Sequence, residues 1–161
     1  MTRRTKLLFA AAALVVGGGV AAALIVALGG SSASRLTRTE YFARVAAICR
    51  VYGPQLDRIA PPSDPAIPAQ VADPVQAVLP LVKAETEEVR ALQPPAELAD
   101  RVARWLALKD RSIETLERTL REALIPDIRS MGPDWLLFVD QNAEAAAAGG
   151  KIGFPRVCSS A

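Results

Sequence analysis

Three carboxylates, Asp110, Glu114 and Glu117, follow one another at steps of four and three in "KDRSIETLE". On a helix that spacing puts them on one face. Neighbouring carboxyl groups can divide acid and base roles between them, provided their surroundings push their ionisations apart. Here the acids come with bases supplied. Glu97 precedes Arg101, Asp100 precedes Arg104, Glu114 precedes Arg118 and Glu117 precedes Arg121, each by four residues. An acid four residues before a base is the favourable order on a helix, worth ~0.3 kcal/mol a pair. The row therefore reads as a solvated, charge-paired face.

Other chemistry is thinner still. The chain contains no histidine, which removes the commonest general base, the commonest metal ligand and every histidine-dependent triad. Its two cysteines, Cys49 and Cys158, stand in no Cys-x-x-Cys context, and two sulfurs without histidine make a poor zinc site. No catalytic, metal-ligating or cofactor-binding residue is assigned, and an enzyme is not expected. One further group has the right character for a binding role: Tyr52, Trp105, Trp135 and Phe138 could line an apolar pocket. The simpler expectation is that these rings fill a core otherwise built from alanine and leucine.

The elements that would hold these residues are legible from periodicity. Residues 1–6 carry Arg3, Arg4 and Lys6, and "LLFAAAALVVGGGVAAALIVAL" then runs from Leu7 to Leu28 without a charge. As a helix those residues span about 33 Å, the thickness of a bilayer's hydrocarbon core. The run exceeds the usual apolar stretch of a secretory signal. Residues 7–28 thus read as a transmembrane anchor, with cleavage after a long signal, near Ser31-Ser32-Ala33, as the alternative. The basic flank places the amino terminus in the cytoplasm and the remainder outside it. Ala13, Gly17 and Ala21 form a small-residue row of the kind that pairs membrane helices, though in so alanine-rich a run it has little weight. With the three flanking bases set aside, sixteen basic residues face seventeen acidic ones. No single-sign field remains for a nucleic-acid partner.

Residues 29–37 form a polar linker, and residues 38–161 an extracytoplasmic helical domain. Thr37 and Glu40 have capping-box spacing. Phe42, Val45, Cys49, Tyr52, Leu56 and Ile59 then make one apolar stripe, stopped by "APPSDP". A second helix carries Val71, Val75, Val78, Val82, Val89 and Leu92, with Asp73-Pro74 as its start and Pro80 as a kink. A third runs from Ala96 to about Leu124 on Leu98, Val102, Trp105, Ile113, Leu116, Leu120 and Leu124. A fourth is expected from an Asp134 cap, with Trp135, Phe138, Val139 and Asn142 inward, to a stop at Gly149-Gly150. Four such helices with short connections predict an all-α protein, an up-down four-helix bundle behind an N-terminal transmembrane helix. In that topology the last helix ends near the start of the first. Outside the cytoplasm two cysteines default to a disulfide, so Cys49 and Cys158 are expected to tie the C-terminal tail down.

Five segments, "YFARVAAIC", the proline breaks "APPSDP" and "LQPPAEL", "WLALKDRSIETL" and the closing "GFPRVC", give the region from Tyr41 to Cys158 a family likeness. It resembles a loose set of uncharacterised actinobacterial exported or membrane-anchored helical proteins. The resemblance implies a fold and a location and carries no activity. The functional expectation is a structural or protein-interaction module of the cell envelope, held at the plasma membrane by residues 7–28. A small-molecule- or lipid-binding bundle is the alternative.

Overall fold

The chain divides into two units, Met1–Ser32 and Ala33–Ala161. The computed structural model describes residues 35–124, 128–155 and 158. The expected membrane span, its flank, its small-residue row and the signal cleavage site lie outside these residues. Among the described residues no helix is long and apolar enough to cross a membrane.

Four α-helices account for the described fold: α1 (Arg38–Leu56), α2 (Pro68–Arg90), α3 (Ala99–Leu124) and α4 (Ile128–Ile152), with one 3-10 turn, Ala96–Leu98, leading into α3. No strand occurs among the described residues. Each helix runs antiparallel to the next. Leu36 N–H donates to Gln93 O, which sets the start of α1 beside the end of α2. Arg90 pairs with Asp110 and Lys83 with Glu117 across α2 and α3. Arg118 pairs with Asp134, and Arg111 with Glu144, across α3 and α4.

The helix ends show where local chemistry decides. The Thr37–Glu40 capping box forms as expected: the Thr37 hydroxyl accepts from Glu40 N–H, and the Glu40 carboxylate accepts from Thr37 N–H. Those hydrogen bonds hold the Glu40 carboxyl below its ordinary range. α2 starts a turn and a half before the expected Asp73-Pro74. Pro68 suits the first helical position as well as Pro74 does, and the earlier start buries Val71 completely. Pro74 and Pro80 then both lie inside the helix.

α4 differs from expectation at both ends. It begins before Asp134, whose carboxylate accepts from Arg118 instead of capping. It continues past Gly149-Gly150 to Ile152 and stops at Gly153, whose φ is +102°. There Phe154 N–H donates to Gly149 O and Gly153 N–H to Gly150 O, a Schellman closure that needs a left-handed residue. Gly149, inside the helix, lies against Trp105: a Cβ at that position would sit 3.1 Å from Trp105 Nε1.

Two apolar clusters form the core. One surrounds Tyr41, Val45, Cys49, Leu98, Val102, Trp105 and Phe154, at the end where the chain enters α1. The other gathers Leu56, Val71, Val75, Val82, Leu116 and Ala123 toward the opposite end. Trp105 is buried and meets Phe154 edge-on, centroids 5.1 Å apart. Leu124 and Val139, assigned inward from their spacing, are exposed instead. Leu124 ends its helix beyond the core, and Val139 follows Phe138 onto the outer side of α4.

Candidate functional site

The predicted aromatic quartet separates into two places. Trp105 belongs to the first cluster and Tyr52 stands between the clusters, its hydroxyl donating to Glu88 at 2.6 Å. That contact and burial push the Tyr52 phenol up to about 12, burial first. Trp135 and Phe138, 5.5 Å apart, line a cavity of about 350 Å³. Its other walls include Leu56, Pro62, Val78 and Leu116, and Asp57 is the one charged lining residue among the described residues. A shallower groove flanks the other side of the Pro-rich segment after α1, lined by Pro65, Ala66, Pro133, Leu136 and Leu137 with Asp64 and Asp140.

The sequence explains why this end is loosely filled. Prolines 61, 62 and 65 keep the α1–α2 segment out of regular structure. Its hydrogen bonds are local: Asp64 N–H donates to Gln70 Oε1, Ala66 N–H to Asp64 Oδ1, and Ile67 N–H to Asp64 O. The segment therefore crosses the bundle end braced on itself and on the first turn of α2, with a void on either side. Next to it α4 is apolar on more than one face, leaving Leu136 at 61% exposure and Leu137 at 41%.

The carboxylate row of α3 is dispersed by the fold. Asp110 is taken by Arg90 of α2 and Glu117 by Lys83 of α2, while Glu114 is exposed. Among the described residues none of the four expected i,i+4 pairs is an ion pair. Arg118 reaches Asp134 of α4, and Arg101 donates to the Lys151 carbonyl at the end of α4. The charges of α3 strap neighbouring helices together, which side chains at half-buried seams do more readily than exposed ones on a single helix. No group of three potential ligands that could hold a metal occurs among the described residues.

A polar belt between the two apolar clusters was not anticipated. Glu85 and Thr86 of α2, and Lys109, Ser112, Thr115 and Thr119 of α3, are all buried. The hydroxyls of Thr86, Ser112 and Thr119 donate to carbonyls of their own helices. Glu85 Oε1 has no hydrogen-bond partner, and no direct salt bridge joins it to Lys109 among the described residues. Burial pushes the Glu85 carboxyl up and pulls the Lys109 amine down, each partly offset by the opposite charge of the other. The arrangement suits helix registration more than catalysis, because neither group lines the cavity or the groove described above.

Cys49 and Cys158 are bonded, with Cα atoms 5.1 Å apart. The link closes the first cluster, where Phe154 of the same tail is buried against Tyr41 and Trp105. Tyr41 is fully buried with its hydroxyl unpartnered, and burial pushes its phenol up to about 12. The domain is thus stapled at one end and open at the other. No family model, no curated protein and no solved structure matches the chain.

Proposed function

We propose that the chain is a membrane-anchored, extracytoplasmic helical module that binds an apolar ligand at the end of the bundle opposite the start of α1. The observation that carries this reading is the cavity walled by Trp135 and Phe138, which at about 350 Å³ lies within the size range of small-molecule sites. Its lining is almost wholly apolar, as such sites are. The anchoring rests on the uncharged run from Leu7 to Leu28 and its basic flank. An oxidising location is consistent with the Cys49–Cys158 bond.

The test is saturable binding of a neutral fluorescent probe, N-phenyl-1-naphthylamine, to the full chain in lipid nanodiscs, with empty discs as the blank. Val78→Trp places an indole in the cavity and should abolish the protein-dependent signal while leaving the helical circular dichroism intact. Binding that survives the filled cavity, or none above the blank, counts against the reading. A second reading, docking of another envelope protein, is favoured by the exposed Leu136 and Leu137 beside the cavity. Crosslinking from a photoreactive residue at 136 in the native membrane separates it from the first.

A further inference from the structure

The cavity and the groove have no lining residue in common, but their charged lining residues share a sign. Asp57 lines the cavity, and Asp64 and Asp140 line the groove; neither void is lined by a lysine or arginine among the described residues. Arg118 is held by Asp134, and Arg58 is exposed on the α1–α2 segment without lining either void. The cavity therefore has an apolar lining with one negative charge, Asp57, among the described residues, and two aromatic rings, Trp135 and Phe138, stand in its wall.

We infer that the ligand of this site has an apolar body and a cationic head, an amphiphilic amine or quaternary ammonium instead of a fatty acid. The proposal rests on the reading of the cavity as a ligand site and adds the charge of what enters it. Three physical effects agree. A carboxylate arriving on a fatty acid would meet Asp57 at the mouth and be repelled, and the low-dielectric wall would leave that repulsion less screened than in bulk water. An ammonium would be attracted by the same charge. It would also find the faces of a tryptophan and a phenylalanine, which attract cations through their ring quadrupoles. A neutral head gains neither effect and marks the baseline.

The experiment is competition against N-phenyl-1-naphthylamine on the full chain in nanodiscs of neutral lipid, using octyltrimethylammonium, octanol and octanoate. Their tails are equal, so differences report the head. The expected order is ammonium, alcohol, carboxylate, with roughly tenfold between successive members at low salt, the size of a near-surface charge interaction. The spread should shrink at 0.5 M salt. Asp57→Asn should bring ammonium and alcohol closer by severalfold, Asp140→Asn by less, and the exposed Asp73→Asn, which lines neither void, should change nothing. Equal competition by all three overturns the inference while leaving the cavity a ligand site, and a preference for octanoate overturns it outright. If the probe itself fails to bind, the reading of the cavity fails and this inference with it.

Discussion

Replacing Lys109 with methionine keeps a long flexible side chain in the core and deletes only the ammonium. The amine lies 4% exposed beside the polar belt, and Glu85, 3% exposed with Oε1 unpartnered, is the group that senses its charge. Two unit charges about 5 Å apart at an effective dielectric of about 20 attract by about 3 kcal/mol. Removing one partner of a buried pair costs about 3–5 kcal/mol, because the other is left uncompensated. Lys109→Met should lose that much at pH 8, and Glu85→Gln a similar amount. The double variant removes both desolvation costs and should fall within about 1 kcal/mol of the parent, giving a coupling above about 3 kcal/mol.

The pH dependence has a definite sign. Burial already holds the Glu85 carboxyl above its ordinary 4.5, and loss of Lys109 raises it further. Between 4.5 and that raised value the folded state keeps a proton the unfolded state has released, so stability falls as pH rises through the window. The deficit of Lys109→Met should therefore be smaller at pH 5 than at pH 8. Urea unfolding of the four proteins, followed by tryptophan fluorescence at both pH values, measures every quantity needed. Additive losses without coupling would refute the reasoning, as would a Lys109→Met variant as stable as the parent.

Trp105→Ala removes the ring packed against Phe154 and Gly149 and should cost about 3–5 kcal/mol, read as a lowered melting temperature. Two adjacent glycines should respond with opposite signs. Gly150→Ala meets nothing within 4 Å and should stabilise α4 by about 0.5–1 kcal/mol, whereas Gly149→Ala forces its Cβ toward Trp105 Nε1 and should destabilise, both seen in thermal melts. Breaking the Cys49–Cys158 bond opens a loop spanning 109 residues and should cost about 4–5 kcal/mol in the chain-entropy account. Cys49→Ser, Cys158→Ser and the double variant should then be equally destabilised, and the parent should migrate as a compact monomer that slows on reduction.

The helices and their order were readable because valine, leucine and tryptophan recur at helical steps. The capping box and the cysteine pair were readable because they are local chemistry or simple arithmetic. What escaped lies in the gaps of those same stripes. Between Trp105 and Ile113 the apolar pattern of α3 lapses for two turns, and Lys109 and Ser112 occupy the inward positions. Between Val82 and Val89 of α2 the gap holds Glu85 and Thr86. A buried charge looks like a surface residue until the opposing helix supplies its counterpart, so neither sequence segment reveals the belt alone. Tyr41 escaped because the stripe was laid through Phe42, one position round the helix, although Tyr41 is the fully buried ring. The cavity depends on where prolines 61, 62 and 65 carry the chain, which periodicity does not encode.

The bond between Cys49 and Cys158 makes a covalent ring of everything from the middle of α1 to the tail, and every residue lining the cavity or the groove belongs to that ring. A protease reaching this domain would meet the proline-rich crossing between α1 and α2 as an exposed stretch of chain. One cut there opens the ring without dividing the molecule. The fragment before the cut, which carries α1 and Cys49, stays joined through sulfur to the rest of the domain, and the nicked domain stays whole until a reductant arrives. Cleavage and release are thereby separate events, the first controlled by a peptidase and the second by the thiol–disulfide balance of the surroundings.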